Sequence, residues 1–113
     1  MLATREILIR GANTDNDALN ELARLVANKL PDTEQVDCLT LARVTSITAI
    51  RATLSCDAYS ENYPHLYKFI KDGGNMQKLS AKMSEVIFAG GASEPYIKSY
   101  RSTCNIFFRP QPQ

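Results

Sequence analysis

The side chains in this sequence that are best suited to chemistry are one histidine and three cysteines. Nucleophilic catalysis by a Cys–His pair needs the histidine beside the thiol and a third group that orients it. His65 is the only histidine, and the cysteines, Cys38, Cys56 and Cys104, are scattered along the chain. Because no local motif marks one thiol as activated, we expect no catalytic residue and a partly exposed helical position for His65.

The same four residues also raise the question of a Cys₃His zinc site. Zinc ligands usually occur in pairs that are about two to four residues apart. The two nearest cysteines are 18 residues apart, and His65 lies nine residues beyond Cys56, so we expect buried thiols, no metal and no cofactor. An odd number of widely spaced cysteines also differs from a secreted disulfide framework, which predicts a reducing, cytoplasmic location.

A glycine-containing turn resembles a phosphate-binding loop in one respect. Gly73 and Gly74 precede a predicted helix start, where free backbone N–H groups favour anions, and Lys78 follows. The segment does not match the spacing of a P-loop, which also requires a parallel βαβ unit. It therefore predicts a joint between two helices, with an anion contact at Gly73, Gly74 and Lys78 as the alternative.

Tyrosines alternate with cations in two segments of the second half of the chain. Aromatic rings fill pockets on partner proteins or stack on bases, and nearby cations hold acidic groups or phosphates. The predicted interaction surface consists of Tyr63, Tyr67, Lys68, Lys71, Tyr96, Lys98, Tyr100 and Arg101. The simpler alternative is that these tyrosines are amphipathic residues at the edge of the core.

The net charge helps to choose between partners for such a surface. The formal net charge is +1, from 13 basic and 12 acidic residues, whereas nucleic-acid-binding domains are usually clearly basic. We therefore predict a non-enzymatic interaction protein, an accessory, inhibitor-like or assembly subunit that binds another protein or itself as a homo-oligomer. The alternatives are nucleic-acid binding through the same surface and a small-ligand or nucleotide site at the glycine turn.

Length and apolar content are those of one domain. The chain has 113 residues, of which 44% are hydrophobic, enough for one modest core. Because no run of about 18 apolar residues occurs, we expect no membrane span. We predict a single globular domain over residues 1–109 and a disordered tail over 110–113, where prolines alternate with glutamines.

Most of the chain has helical periodicity. Residues 17–30 form the clearest amphipathic stripe, and capping or proline signals start further helices at Pro64, Asn75 and Ser93. Glycine pairs at 73–74 and 90–91 end two of these helices. We predict a mainly α, compact bundle of four or five helices, with short terminal strands near residues 5–10 and 104–109.

Residues 37–56 decide between this bundle and an α+β fold. As a helix, these residues and Val36 before them place large apolar side chains on one half, Val36, Leu39, Val44, Ile47, Ile50 and Leu54. The other half carries the small residues Cys38, Ala42, Thr45, Ala49, Ala52 and Cys56. A helix that is apolar on both sides suits the centre of a bundle.

The rival interpretation is a hairpin, because β-branched residues favour strands. It gives a βαββαβ sandwich with strands at 5–10, 37–44, 47–56 and 103–109 and helices at 17–30 and 64–89. The middle of the segment lacks the Gly, Asn or Asp that tight hairpin turns prefer. We therefore favour the helix.

Overall fold

Seven α-helices and one 3₁₀ turn make up the part of the chain that the structure, a computed structural model, describes, namely residues 2–107. The α-helices are α1 (Thr4–Gly11), α2 (Asp17–Ala27), α3 (Cys38–Leu54), α4 (Pro64–Lys71), α5 (Met76–Ala81), α6 (Met83–Ala89) and α7 (Glu94–Phe107). The 3₁₀ turn, Cys56–Tyr59, follows α3. The prediction of a mainly α fold is confirmed, whereas the predicted number of four or five helices is too low.

Helix α2 lies at the centre of the core because its apolar residues recur every three or four positions. Leu19, Leu22 and Val26 are completely buried, and α2 packs against α1, α3, α4, α5 and α6. Asn16 caps the helix, since its side chain accepts a hydrogen bond from the backbone N–H of Leu19. The helix predicted over 17–30 is confirmed and ends at Ala27.

Helix α3 is continuous from residue 38 to residue 54, so the hairpin and the βαββαβ sandwich are wrong. Asp37 caps the helix and accepts a 2.7 Å hydrogen bond from the backbone N–H of Thr40. This bond is the main reason that the pKa of Asp37 is lowered. The buried Thr45 hydroxyl donates to the carbonyl of Leu41 one turn earlier, so a β-branched residue is accommodated inside the helix.

Both segments for which the sequence favours terminal strands are helical where the structure describes them. Residues 5–10 lie within α1, which buries Ile7 and Leu8. Helix α7 extends to Phe107, and it packs along α3 with Tyr100 and Cys104 buried. Burial at this helical spacing outweighs the β-propensity of the segment. Residues 108–109 of the predicted strand and the predicted tail, 110–113, lie outside the described residues.

The glycine turn after α4 is a helix joint, as the sequence predicts. The backbone N–H of Gly73 donates to the carbonyl of Ile70, and that of Gly74 donates to the carbonyl of Phe69. Gly73 has a φ of +79°, and this left-handed conformation with two backward hydrogen bonds is a Schellman motif. The helix predicted after Asn75 is divided at Lys82 into α5 and α6.

Helices α1 and α6 cross at backbone contact. A Cβ atom added to Gly11 would lie 1.8 Å from the carbonyl oxygen of Val86. One added to Gly90 would lie 2.0 Å from the carbonyl oxygen of Ile7. Only glycine fits at these two positions, and the pair fixes how closely the two helices approach.

Candidate interaction surface

Helix α3 buries mainly small side chains and exposes most of its large ones, with the completely buried Leu41 as an exception. Ala42, Thr45, Ala49 and Ala52 face the core, where α7 packs along the helix. The exposed fractions of the large residues are 46% for Leu39, 50% for Ile47, 56% for Ile50 and 80% for Leu54. The helix therefore lies at the surface and not at the centre of the bundle, which corrects the expectation from its two apolar halves.

The large side chain of Tyr100 on α7 explains why the small half of α3 faces inward. Tyr100 is completely buried, and its hydroxyl donates a 3.0 Å hydrogen bond to the backbone carbonyl of Ser80. Burial raises the pKa of Tyr100. The side chain of Thr45 lies close enough to act on that pKa in the opposite direction. Small residues on α3 provide the space for this ring, and most of the large residues of α3, Leu41 excepted, are left on the outside.

Three of the exposed aliphatic residues form a ridge along α3. Ile47, Ile50 and Leu54 are three and four residues apart, the spacing that aligns side chains on one face of a helix. We call these three residues the α3 ridge. An aligned set of exposed aliphatic side chains on one helix is the kind of apolar patch that marks interaction sites.

A groove runs along each side of the α3 ridge. The groove between α3 and α5 has a volume of about 310 Å³ and is lined by Ser46, Ala49, Ile50, Thr53, Leu54, Met76, Gln77 and Ser80. The groove on the other side has a volume of about 250 Å³ and is lined by Lys29, Val44, Ile47, Thr48, Arg51 and Tyr59. The first lining contains no charged residue, whereas the second contains two cations.

The charges around the α3 ridge are positive. Arg43 and Arg51 are exposed on α3, four residues before and four residues after Ile47, and Lys29 lines the neighbouring groove. Helix α3 itself contains no acidic residue. Within residues 2–107, none of these three cations forms an ion pair with a carboxylate. The ridge is therefore bordered by three cations without an ion pair in the described chain, of which Arg43 interacts at longer range with Asp37 at the start of α3.

The predicted tyrosine and lysine surface is divided between α4 and α7, which pack against different parts of the fold. Helix α4 contacts α2 and the 3₁₀ turn, whereas α7 contacts α3, α5 and α6. On α7, Tyr100 is buried, and the half-buried Tyr96 donates its hydroxyl to the carbonyl of Val36 at 2.8 Å. The exposed members on α7 are therefore Lys98 and Arg101.

On α4, the predicted surface residues have partners within the protein. The half-buried Tyr63 ring meets the Tyr59 ring edge to face at 6.0 Å. The lysines of the surface are paired with carboxylates: Lys68 with Asp72 at 2.9 Å, Lys71 with Asp57 at 3.4 Å, and Lys98 on α7 with Glu94 at 3.9 Å. Lys71 also lies 5.6 Å from the centre of the Tyr67 ring. These contacts agree with the alternative of tyrosines at the edge of the core.

At the glycine turn, the side chain of Asn75 already accepts a hydrogen bond from the backbone N–H of Lys78 at 3.0 Å. Helix α5, which begins at Met76, has only six residues. Gly73 and Gly74 serve the Schellman motif that closes α4. The geometry therefore supports the helix joint, and an anion at Gly73, Gly74 and Lys78 stays a prediction.

Cys104 is buried, as expected for an ordinary core thiol, whereas Cys38 and Cys56 are half-buried. Burial raises the pKa of the Cys38 and Cys104 thiols, which disfavours the reactive thiolate. The Cys38 thiol donates to the backbone carbonyl of Tyr96 at 3.3 Å. No group of three His, Cys, Asp or Glu side chains among residues 2–107 is arranged to hold a metal ion.

Sequence reasoning missed a buried carboxylate that contacts the histidine. Glu21 on α2 is 4% exposed, and its two oxygens have different partners on α4. One lies 2.5 Å from Nδ1 of His65, and the other accepts a 2.9 Å hydrogen bond from the backbone N–H of Leu66. The bond to Glu21 is the main reason that the pKa of His65 is raised. The two residues are 44 positions apart, so no local pattern could have paired them.

None of the described helices has the length and apolar character needed to cross a membrane. Comparison of the chain with models of known protein families, with curated proteins and with solved structures finds no match.

Proposed function

We propose that this chain is a small, non-enzymatic interaction protein that binds a partner through the α3 ridge. The observation that carries the proposal is the outward orientation of Ile47, Ile50 and Leu54 on one helix whose opposite face is packed with small residues. Aliphatic residues of this size are normally placed in the core, and a contiguous exposed set marks a binding surface.

The energy available from the ridge suits a reversible interaction. Burying one Leu or Ile side chain completely contributes roughly 1.5–3 kcal/mol. Because the ridge residues and Leu39 are between 46% and 80% exposed, covering all four would contribute on the order of 4–7 kcal/mol from this side. Association itself costs an estimated 4–15 kcal/mol, so the partner must add a comparable apolar surface.

The nucleic-acid alternative has less support from the contacts. Binding to phosphates requires accessible cations, and three lysines of the predicted tyrosine surface are paired with carboxylates. Three cations without such a partner, Lys29, Arg43 and Arg51, border the aliphatic ridge. The ring in the adjacent groove, Tyr59, is half-buried and packs against Tyr63, so it is poorly placed for stacking on bases. Protein binding is the function that this combination favours.

Photo-crosslinking from the ridge tests the proposal. A photoreactive residue placed at position 50 should give one crosslinked species of defined mass when the chain is expressed at its native level. The same residue at position 88 is the matched control, because Phe88 is 71% exposed and lies on α6 outside the ridge.

The partner identified from that species should then bind the purified chain. We expect Ile50→Ser/Leu54→Ser to weaken binding by at least about tenfold, the equivalent of 1.4 kcal/mol, and Phe88→Ser to leave it unchanged. The absence of a discrete species at position 50, or equal crosslinking from positions 50 and 88, contradicts the proposal.

A further inference from the structure

We infer that the segment that binds the α3 ridge is an acidic amphipathic helix from a different protein. This inference rests on the proposed function, because it names the partner of the same ridge. It is carried by the charges and the shape around Ile47, Ile50 and Leu54, which together select one kind of occupant.

The charges select an acidic partner. Arg43 and Arg51 lie one helical turn on either side of Ile47, and Lys29 lines the groove beside it. No carboxylate within residues 2–107 forms an ion pair with these cations. Asp37, at the start of α3, caps the helix and interacts with Arg43 only at longer range. A partner with carboxylates beside its apolar residues would gain complementary contacts, whereas a partner with cations there would be repelled.

The shape selects a helix. An amphipathic helix presents side chains at intervals of three and four residues, and these rows fit into the grooves beside a ridge on another helix. The apolar groove between α3 and α5 can receive aliphatic side chains, among Ala49, Leu54 and Met76. The other groove contains Lys29 and Arg51, which can meet carboxylates on the flank of the same helix.

A second copy of this chain fits the ridge poorly. Two-fold pairing brings the same surface patch of both copies together. Arg51 is adjacent to Ile50 at the middle of the ridge, so pairing centred on the ridge would place the two Arg51 side chains within about one helical turn of each other. Like charges in an interface are unfavourable. A homo-oligomer through this face is therefore disfavoured by its own cations.

The test uses two synthetic helical peptides of about 18 residues, which is five helical turns. Both carry leucines at the same positions, three and four residues apart; one has glutamates and the other lysines at the flanking positions. Fluorescence anisotropy with the full chain should show that the glutamate peptide binds at least about tenfold more tightly, since several charge contacts of up to about 1 kcal/mol each change sign. This preference should decrease as salt increases.

Charge-reversed variants locate the effect. Arg43→Glu/Arg51→Glu should reverse the preference in favour of the lysine peptide, and Ile50→Ser/Leu54→Ser should weaken both peptides. Arg101→Glu, an exposed site on α7, is the matched control and should change neither. Amide chemical shifts should change along α3 and α5 when the glutamate peptide is added.

The inference is overturned if neither peptide binds, if both bind equally, or if Arg43→Glu/Arg51→Glu leaves the preference unchanged. It is also overturned if sedimentation shows a dimer that Ile50→Ser/Leu54→Ser abolishes. Co-flotation with anionic vesicles that depends on the ridge would show a lipid surface in its place. A discrete crosslinked partner whose binding segment is not acidic would overturn this inference and leave the proposed function intact, whereas the lack of crosslinking removes the proposed function itself.

Discussion

The imidazole Nδ1 of His65 lies 2.5 Å from a carboxylate oxygen of Glu21 and thereby connects α4 to α2. The second oxygen of the same carboxylate accepts the backbone N–H of Leu66 in the first turn of α4. Asp17, one turn before Glu21, has a carboxylate oxygen 3.7 Å from Nε2 of His65. Glu21 thus acts as an N-terminal cap for a helix that is distant in sequence, and its charge interacts with a residue that titrates near neutral pH.

The first prediction concerns the pH dependence of folding stability. Glu21 raises the pKa of His65 in the folded chain above the 6.5 of an isolated histidine. The protonated histidine therefore makes its full contribution to the free energy of unfolding below about pH 6.5, the pKa of the unfolded state. That contribution is lost as the pH rises through the higher pKa of the folded state. Urea unfolding between pH 6 and 9 should show a steeper decrease in the free energy of unfolding for the wild type than for His65→Gln.

His65→Gln is a suitable reference because both chains contain the same cysteines and lysines, so their titration cancels in the difference. A histidine NMR titration of the folded wild type should give a pKa above that of a model peptide. Identical pH profiles for the two chains would show that the Glu21 contact does not stabilise the imidazolium.

The second prediction separates the capping role of Glu21 from its charge. Glu21→Ala removes the acceptor for the buried N–H of Leu66 and should cost about 1–3 kcal/mol in the free energy of unfolding. Glu21→Gln keeps an acceptor oxygen of the same reach and should cost less. It should also reduce the excess pH dependence of the wild type, and the part that remains comes from Asp17. Denaturant unfolding measures both effects, and equal losses for Ala and Gln would refute the capping role.

The boundaries of several helices could be predicted because the signals that set them are local. Pro64 at the first position of α4, the side-chain cap of Asn75 and the left-handed Gly73 all lie within a few residues of the ends they define. The helical state of 38–54 was also predictable, since the segment lacks turn residues at its centre.

The orientation of α3 could not be predicted, because it depends on a residue of another helix. Both halves of α3 are apolar, and the usual expectation is that the larger side chains face inward. The buried ring of Tyr100 requires small neighbours such as Thr45, and apart from Leu41 the large residues of α3 are therefore turned outward. For the same reason, the sequence indicates an interaction surface among tyrosines and lysines and gives no sign of the exposed aliphatic ridge on α3.

The third prediction tests the close crossing of α1 and α6. Gly11→Ala should lower the free energy of unfolding by about 1–3 kcal/mol or more, because its Cβ would overlap the carbonyl of Val86 and force the helices apart. Gly90→Ala should have a similar effect. The double variant should lose less than the sum, since one displacement relieves both clashes.

Gly73→Ala provides the comparison for this test. Gly73 has a left-handed φ of +79°, and a Cβ there would meet nothing within 4 Å, so the loss should reflect backbone strain alone, about 1–2 kcal/mol. Thermal or denaturant unfolding gives all of these values. Additive losses at Gly11 and Gly90 would argue that the two glycines do not share one contact.

The fourth prediction tests the orientation of α3 on which the proposed function depends. Leu54→Ala should change the free energy of unfolding by no more than about 0.5 kcal/mol, because Leu54 is 80% exposed and Ala also favours helix. Ala52→Leu, only two residues earlier but completely buried in the core cluster, should cost about 1–3 kcal/mol, since a larger side chain must displace its packed neighbours. An ordinary amphipathic helix with its large residues inside would give the opposite order in denaturant unfolding. Because Leu54→Ala keeps its stability, any partner binding that this variant loses reflects the surface itself and not a damaged fold.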